Sequence, residues 1–461
     1  MVKNEKTPQL DSQGIPKTMK GSQFFGDGIA QFALNSMSGL VGIITYFYTD
    51  KIGMSAAAVG TVLLASKIVD AFTDIIMGRV VDKTNSKYGK ARPWILWMSI
   101  PAFLAIILLF LIPSNASEKV KIAYAFGSNI FISAIVYTAI AIPYGCLMAL
   151  STKSIEERSK MGIVRAVMGY ISGMIIAICL IPITNMLGGN QKAWIIVSTI
   201  FGVLSAGSLL GTFFTAKEQC VEQKDEEKVS FSNSIRMIFH NKCWVIMLFV
   251  MVAVNIIYSL SSSVGVYYTK YILGNENLVA LLGGIGLIPT VVGFAVIQPM
   301  IKKFGLVKAV RVSIIIGIIG TLVRIFFPYN LVVTIIFGSF VSFSTIPLMA
   351  VGGVLVNNTI EYNEWKFGKR LVGISNSASS FGSKIGSGLG AAMIGWVLAF
   401  GKYNGSLSVQ PESAQKSIIT LAIWIPGILL AIMYLLLRKY DLDVKYSEII
   451  KDLEERRKGS N

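Results

Sequence analysis

The chain has 461 residues, of which 53% are hydrophobic and only 15% charged, and it carries a formal net charge of +17. Its apolar runs are too many and too long for one soluble core, which makes it a polytopic membrane protein. The positive charge is spread over alternate loops, which argues against nucleic acid as a partner.

A hydrocarbon core about 30 Å thick needs roughly 20 apolar residues per helix. Runs of that length predict an all-α membrane protein with twelve transmembrane helices, at 22–49, 55–81, 93–112, 120–150, 161–187, 193–216, 243–272, 278–300, 309–327, 330–358, 371–400 and 415–438. The polar segment Met1 to Met19 lacks a signal peptide's apolar core and small-residue cleavage site, so no removal is expected. Between Ala216 and Asn241 the chain turns polar and mixed in charge, dividing the spans six and six. The expected organisation is an N-terminal six-helix half (1–216), a central loop (217–242), a C-terminal six-helix half (243–438) and a tail (439–461). Lys87-Tyr88-Gly89-Lys90 after the second span is echoed by Lys303-Phe304-Gly305-Leu306 after the eighth. In the tail, Ile449, Ile450 and Leu453 at helical spacing predict a short amphipathic helix.

Lys and Arg gather in alternate loops, such as Lys83 to Arg92, Lys153 to Lys160, Lys302 to Lys308 and Lys366 to Arg370, while the loops between hold few. This positive-inside pattern predicts an inner-membrane protein with both termini in the cytoplasm. Cys146, Cys179, Cys220 and Cys243 lack zinc-ligand spacing and are read as reduced and structural. His240 is the single histidine and lies at a span end, so proton coupling would run through carboxylates.

Polar groups inside the spans carry the functional signal. Lys67, Asp70 and Asp74 are spaced i, i+3 and i+7 and share one helix face in mid-span. A charge at the bilayer centre costs about 2.5 to 3.5 kcal/mol on insertion scales, so such a stripe needs partners or a water-filled cavity. The carboxylates offer hard oxygen ligands to sodium or lithium, or accept a proton, with the Thr73 hydroxyl adjacent. A closed Lys–Asp structural pair is the other reading. Asp27, Arg165 and Lys384 are further charges within spans, with Ser379 and Ser380 one turn from Lys384. Tyr137, Thr138 and Tyr144 offer hydroxyls and aromatic faces suited to sugars, or serve ordinary packing. Gly382, Gly386 and Gly390 recur every fourth residue and let another helix approach closely. One positive charge moving down 100 mV releases about 2.3 kcal/mol, enough for roughly fifty-fold accumulation of a neutral solute. No Walker-type loop is present.

Several blocks give the chain a family likeness. Tyr46-Phe47-Tyr48-Thr49-Asp50, the run Lys67 to Gly78 around Asp70 and Asp74, Lys87-Tyr88-Gly89-Lys90-Ala91-Arg92-Pro93-Trp94, Glu361-Tyr362-Asn363-Glu364-Trp365 through Arg370, and Tyr446-Ser447-Glu448-Ile449-Ile450 resemble the glycoside-pentoside-hexuronide:cation symporter family, which is melibiose permease-like. The resemblance spans nearly the whole chain. It implies a major-facilitator-type fold and cation-coupled sugar uptake by alternating access. It implies too that Asp70 and Asp74 bind the cation, that Thr138 completes that site, that Arg165 and Lys384 serve sugar and coupling, and that Tyr137 lies near the sugar. Where the family's melibiose carrier has sugar-binding aspartates, this chain has Leu34, next to Asn35, and Ala141, and Gly145 stands for a tryptophan. Galactoside recognition therefore does not carry over. Thr73, in place of an asparagine, leaves sodium against proton open. Without those two acids, Arg165 and Lys384 predict an electropositive pocket favouring an anionic sugar such as a uronide, unless Asp27 or the cation-site acids balance them.

The expected cation set is thus Asp70, Asp74, Thr73 and Thr138, taking Na+, Li+ or H+, with Asp70 and Asp74 as metal ligands if the ion is Na+. Expected substrate contacts are Tyr137, Arg165, Lys384, Ser379, Ser380 and Asn35. Coupling or gating is expected from Lys67, Asp27, Arg92, Glu361, Glu364, Lys369 and Arg370, the basic loops bridging to Asp82, Glu361 and Glu364 or else only signalling topology. No cofactor beyond the coupling ion is expected, and the partners are a small sugar, a monovalent cation and the bilayer, with a monomer as the working unit. The alternative is a carrier of this fold for a non-sugar amphiphile or organic anion, its cavity lined by Met349, Leu34 and Ala141. An enzyme would need a nucleophile with its base or clustered metal ligands, and the sequence offers no such constellation.

Overall fold

A computed structural model describes residues 16–152, 154–218, 236–368 and 372–459. Among these the secondary structure is helical, with no β-strand. In a bilayer every backbone N–H and C=O must be satisfied within the segment, which helices achieve. Ten helical runs are long and apolar enough to cross: Gly21–Lys51, Glu118–Met148, Glu156–Met186, Gln191–Thr215, Lys242–Tyr271, Leu278–Phe304, Leu306–Phe326, Leu331–Phe367, Ser379–Phe400 and Glu412–Arg438. The two other expected spans are helical too, and each departs for a physical reason. The second, Ala56–Lys83, carries the charges of Lys67, Asp70, Asp74 and Arg79. The third is broken between Arg92–Trp97 and Ser99–Leu108. In chain order these are the first to twelfth spans.

Local sequence explains where several spans start and stop. Asn190, Asn241 and Asn330 open the sixth, seventh and tenth, each side-chain oxygen accepting an N–H three residues on, at 3.0, 3.1 and 3.1 Å. The two echoed loops turn on Gly89 (φ 105°) and Gly305 (φ 83°), a region other residues avoid.

By their contacts the residues form two compact units, Met1–Phe47 with Val69–Glu226 and Tyr48–Ile68 with Glu227–Asn461. Residues 48–68, counted with the first six spans by sequence, thus pack with the later ones.

In the first unit, the first span lies along the fifth and sixth. A Cβ on Gly28 would stand 2.7 Å from Val164, and one on Gly39 3.1 Å from Ile176, so glycine sets this close approach. Phe47, Phe110 and Trp194 form an aromatic cluster with centroids 4.9 to 5.4 Å apart. Two carboxylates tie loops to this unit. Glu157 accepts the N–H groups of Thr18 and Met19 at 3.2 and 2.8 Å. Glu218 accepts those of Lys90, Ala91 and Arg92 at 2.8 to 2.9 Å, where the third span begins and its dipole favours negative charge.

In the second unit the glycines that recur every fourth residue meet the seventh span. Cβ atoms on Gly382, Gly386 and Gly390 would stand 2.3 Å from Leu248, 2.6 Å from the Val252 carbonyl and 2.6 Å from Ser259. Gly60 and Gly395 pack backbone to backbone, a Cβ on Gly395 falling 2.7 Å from the Gly60 Cα. The strongest tie on 48–68 is Asp50, whose carboxylate is fully buried. It accepts from Lys270 Nζ at 2.9 Å, Tyr271 at 2.6 Å, Tyr403 at 2.5 Å and Thr49 at 2.9 Å. Thr49 in turn lies 2.7 Å from the Tyr267 hydroxyl. Burial, reinforced by the Asp50 charge, pushes the pKa of Tyr403 up and keeps its hydroxyl a donor. The tail forms the helix Leu442–Gly459, with Ile449 and Leu453 in the core of this unit. Tyr446 donates to Glu361, the Trp365 indole to Asp452, and Arg456 to the Trp365 carbonyl at 3.1 Å.

Candidate cation and substrate site

The fourth span changes its winding in mid-course. An α-helix over Glu118–Asn129 passes into a π-helical stretch, Ile130–Tyr137, and returns to α at Thr138. Such π segments favour functional sites, because the extra residue re-aims the side chains that follow. Thr138 is buried, with its hydroxyl 3.1 Å from Asp70 Oδ1 and 2.9 Å from Asp74 Oδ1. Two carboxylates, one helical turn apart, thus converge on one hydroxyl. A hydroxyl has one proton and two lone pairs, so it can donate to a carboxylate and still offer oxygen to a cation. The three oxygens are of the hard type that alkali cations take. The Thr73 hydroxyl donates to the backbone carbonyl of Asp70 at 3.0 Å, within its own helix.

Asp27 and Arg165 form one buried ion pair, with Nε to Oδ2 at 2.6 Å and Nη2 to Oδ1 at 2.7 Å. The guanidinium lies 3.7 Å from the Tyr144 ring centroid, and the Tyr144 hydroxyl donates to the Asp27 carbonyl at 2.8 Å. Asp27 thus supplies the balance for Arg165 on which the expectation of an electropositive pocket was made conditional. Tyr137, half-buried, closes the π stretch beside Thr138. Asn35 donates to the Gln31 carbonyl at 2.9 Å and sits against Gly169 of the fifth span, in a packing seam.

In the second unit Lys67 lies against the eleventh span, where a Cβ on Gly388 would stand 2.9 Å from the Lys67 Cβ. Lys384, half-buried, is one turn before that glycine, with Ser379 half-buried and Ser380 exposed another turn back. Two residues of the expected bridges make contacts within their own units. Arg92 donates to the Phe213 carbonyl at 2.8 Å and stacks on its ring, and Glu361 accepts from Tyr446. Glu364 lies in the last turn of the tenth span, its carbonyl accepting the Gly368 N–H at 2.8 Å. Lys369 and Arg370 lie outside the described residues. Of the apolar lining expected for an amphiphile, Met349 is exposed and Ala141 half-buried, but Leu34 is buried in packing. The Asp50 cluster had no place among the expected site residues. Its signal was an acid beside a span end, in a chain that also places Tyr267, Tyr268, Lys270 and Tyr271 at another.

Among the described residues, ten long apolar helices and two further helical spans, with acids and bases held in mid-span, are the frame of a multi-pass membrane transporter, and the family and relatives below are transporters and not enzymes. The family model "MFS/sugar transport protein" matches residues 26–444. An uncharacterized symporter of Bacillus subtilis is 31% identical over 443 residues, covering 94% of each chain. The isoprimeverose transporter of Lactiplantibacillus pentosus is 29% identical, over 95% of this chain and 92% of its own. A glucuronide carrier protein homolog of Escherichia coli is 25% identical, over 89% and 90%. The nucleoside transporter NupG has the same fold, with a TM-score of 0.63 at 14% identity over 90% of this chain and 98% of that one. The chain belongs to the glycoside-pentoside-hexuronide:cation symporter family of the major facilitator superfamily.

Proposed function

We propose that the protein couples entry of a monovalent cation, Na+, Li+ or H+, to uptake of a sugar by alternating access. In this reading it acts as a monomer in the inner membrane, with both termini in the cytoplasm. The cation sits at Asp70, Asp74 and Thr138, and cation and sugar raise each other's affinity by the same factor. The observation that carries this is the Thr138 hydroxyl within hydrogen-bond reach of both carboxylates. Tyr137, Arg165 and Lys384 serve the sugar. The names of the relatives, covering an isoprimeverose transporter and a glucuronide carrier homolog, support sugar as the shared substrate class. The Asp27–Arg165 pair favours a neutral glycoside over a uronide, since a carboxylate on the substrate would compete with Asp27 for the same fork.

The test is counterflow and driven uptake in proteoliposomes with a panel of neutral and acidic sugars, under sodium, lithium or proton gradients alone. Asp74→Asn is expected to keep counterflow but lose gradient-driven accumulation. Thr138→Val is expected to raise the half-saturating cation concentration about tenfold, with Thr138→Ser near the parent. Full accumulation by Asp74→Asn would remove that carboxylate from the mechanism.

A further inference from the structure

The seventh span is packed by the tenth, eleventh and twelfth over most of its circumference and keeps one open stripe. In its middle turns that stripe carries Tyr258, Ser261 and Ser262, with Asn255 half-buried at its edge against Gly386 of the eleventh span. Other spans of the same unit expose a different chemistry: Ile288 and Val291 on the eighth, Ile428 and Ile432 on the twelfth. Hydrocarbon selects apolar faces of that kind, whereas polar side chains in mid-span are kept where they meet a bundle interior or water. A second observation concerns what the stripe binds now. Tyr258, 37% exposed, donates its hydroxyl to the sulfur of Met349 at 3.5 Å, and Met349 is itself 57% exposed. Thr345 also hydrogen-bonds the Tyr258 hydroxyl, but the thioether is a weak acceptor, so a ligand oxygen displaces it at little cost. Asn255 donates to the Met251 carbonyl at 2.8 Å and Ser262 to the Ser259 carbonyl at 3.0 Å, and both keep acceptor lone pairs for a ligand.

We propose that Tyr258, with Asn255 and Ser262 beside it, is a specificity-determining contact of the second unit that recognises an uncharged glycosyl ring of the transported sugar. The proposal rests on the sugar-transport reading above. The chemistry follows from the residue types. A phenol ring stacks on the CH face of a pyranose, its hydroxyl and the amide and serine oxygens meet the ring hydroxyls, and no charge among the three residues selects for an ionic group.

Two measurements test it. Tyr258→Phe is expected to raise the half-saturating sugar concentration about five- to tenfold, the effect of losing one hydrogen bond, while the response to the coupling ion at saturating sugar stays that of the parent. Ser262→Cys, compared with the parent and its native cysteines, is expected to react in membrane vesicles with a hydrophilic thiol reagent and to be protected by transported sugar. Reaction of the introduced thiol with a lipid-soluble maleimide alone would place the stripe in lipid and overturn the proposal. So would hydrophilic labelling that no transported sugar slows, together with unchanged uptake by Tyr258→Phe. If the parent itself shows counterflow with no sugar, the sugar-transport reading fails and takes the glycosyl contact with it. The labelling still tells whether the stripe is wet, which separates the two failures.

Discussion

Asp27 and Arg165 meet through two short hydrogen bonds, with side chains only 2% and 11% exposed, so each is the other's means of staying charged inside the unit. Taking away one member of such a pair leaves an uncompensated charge, at a cost of about 3 to 5 kcal/mol. Asp27→Ala is therefore expected to lower the thermal stability of the purified protein sharply, and Asp27→Ala combined with Arg165→Leu to recover much of the loss. A double variant as unstable as the single one would mean that the pair is not what the stability depends on. That these two residues are candidates for function was readable from their position inside spans. Their pairing was not, because 138 positions separate them and no periodicity relates one helix's rotation to another's.

At the scale of elements, residues 48–68 show how a span is held by something other than its own hydropathy. Asp50 draws donors from the ends of the seventh and eleventh spans, and Gly60 and Gly395 bring two backbones into direct contact. Asp50→Ala removes the acceptor for four donors and leaves Lys270 without it. It is expected to cost about 3 kcal/mol, read as a lower melting temperature of the solubilised protein. Gly395→Ala should be as harmful despite its small size, since the added methyl would fall 2.2 Å from the Ala56 carbonyl and backbone cannot yield as a side-chain tip can. Parent-like melting of either variant would show that this packing is dispensable. The fourth span teaches a related point. Its length and apolar character were plain from sequence, but the π stretch that precedes Thr138 has no compositional mark, being Ile-Phe-Ile-Ser-Ala-Ile-Val-Tyr.

For the molecule as a whole, the distribution of Lys and Arg sets the expected orientation in the membrane. Lys303, in the last turn of the eighth span, and Ser408, in the loop before the twelfth, are both exposed and expected on opposite sides. In whole cells an impermeant thiol reagent should label Ser408→Cys and leave Lys303→Cys unlabelled, with the reverse in inside-out vesicles. The opposite result would invert the topology.

The amino-acid sequence by itself marked out the spans, ten of them long apolar helices among the described residues, because the thickness of a bilayer fixes how long an apolar helix must be. It also determined that Lys67, Asp70 and Asp74 share a face, because one helix has one period. Only the tertiary structure decided that Thr138 is the hydroxyl meeting both acids, that Thr73 turns back to its own backbone, that Asp27 is the partner of Arg165, and that Glu361 engages the tail. Each of these depends on how one helix is rotated against another, and that is set by the packing of many side chains at once, which the pattern along any single segment does not carry.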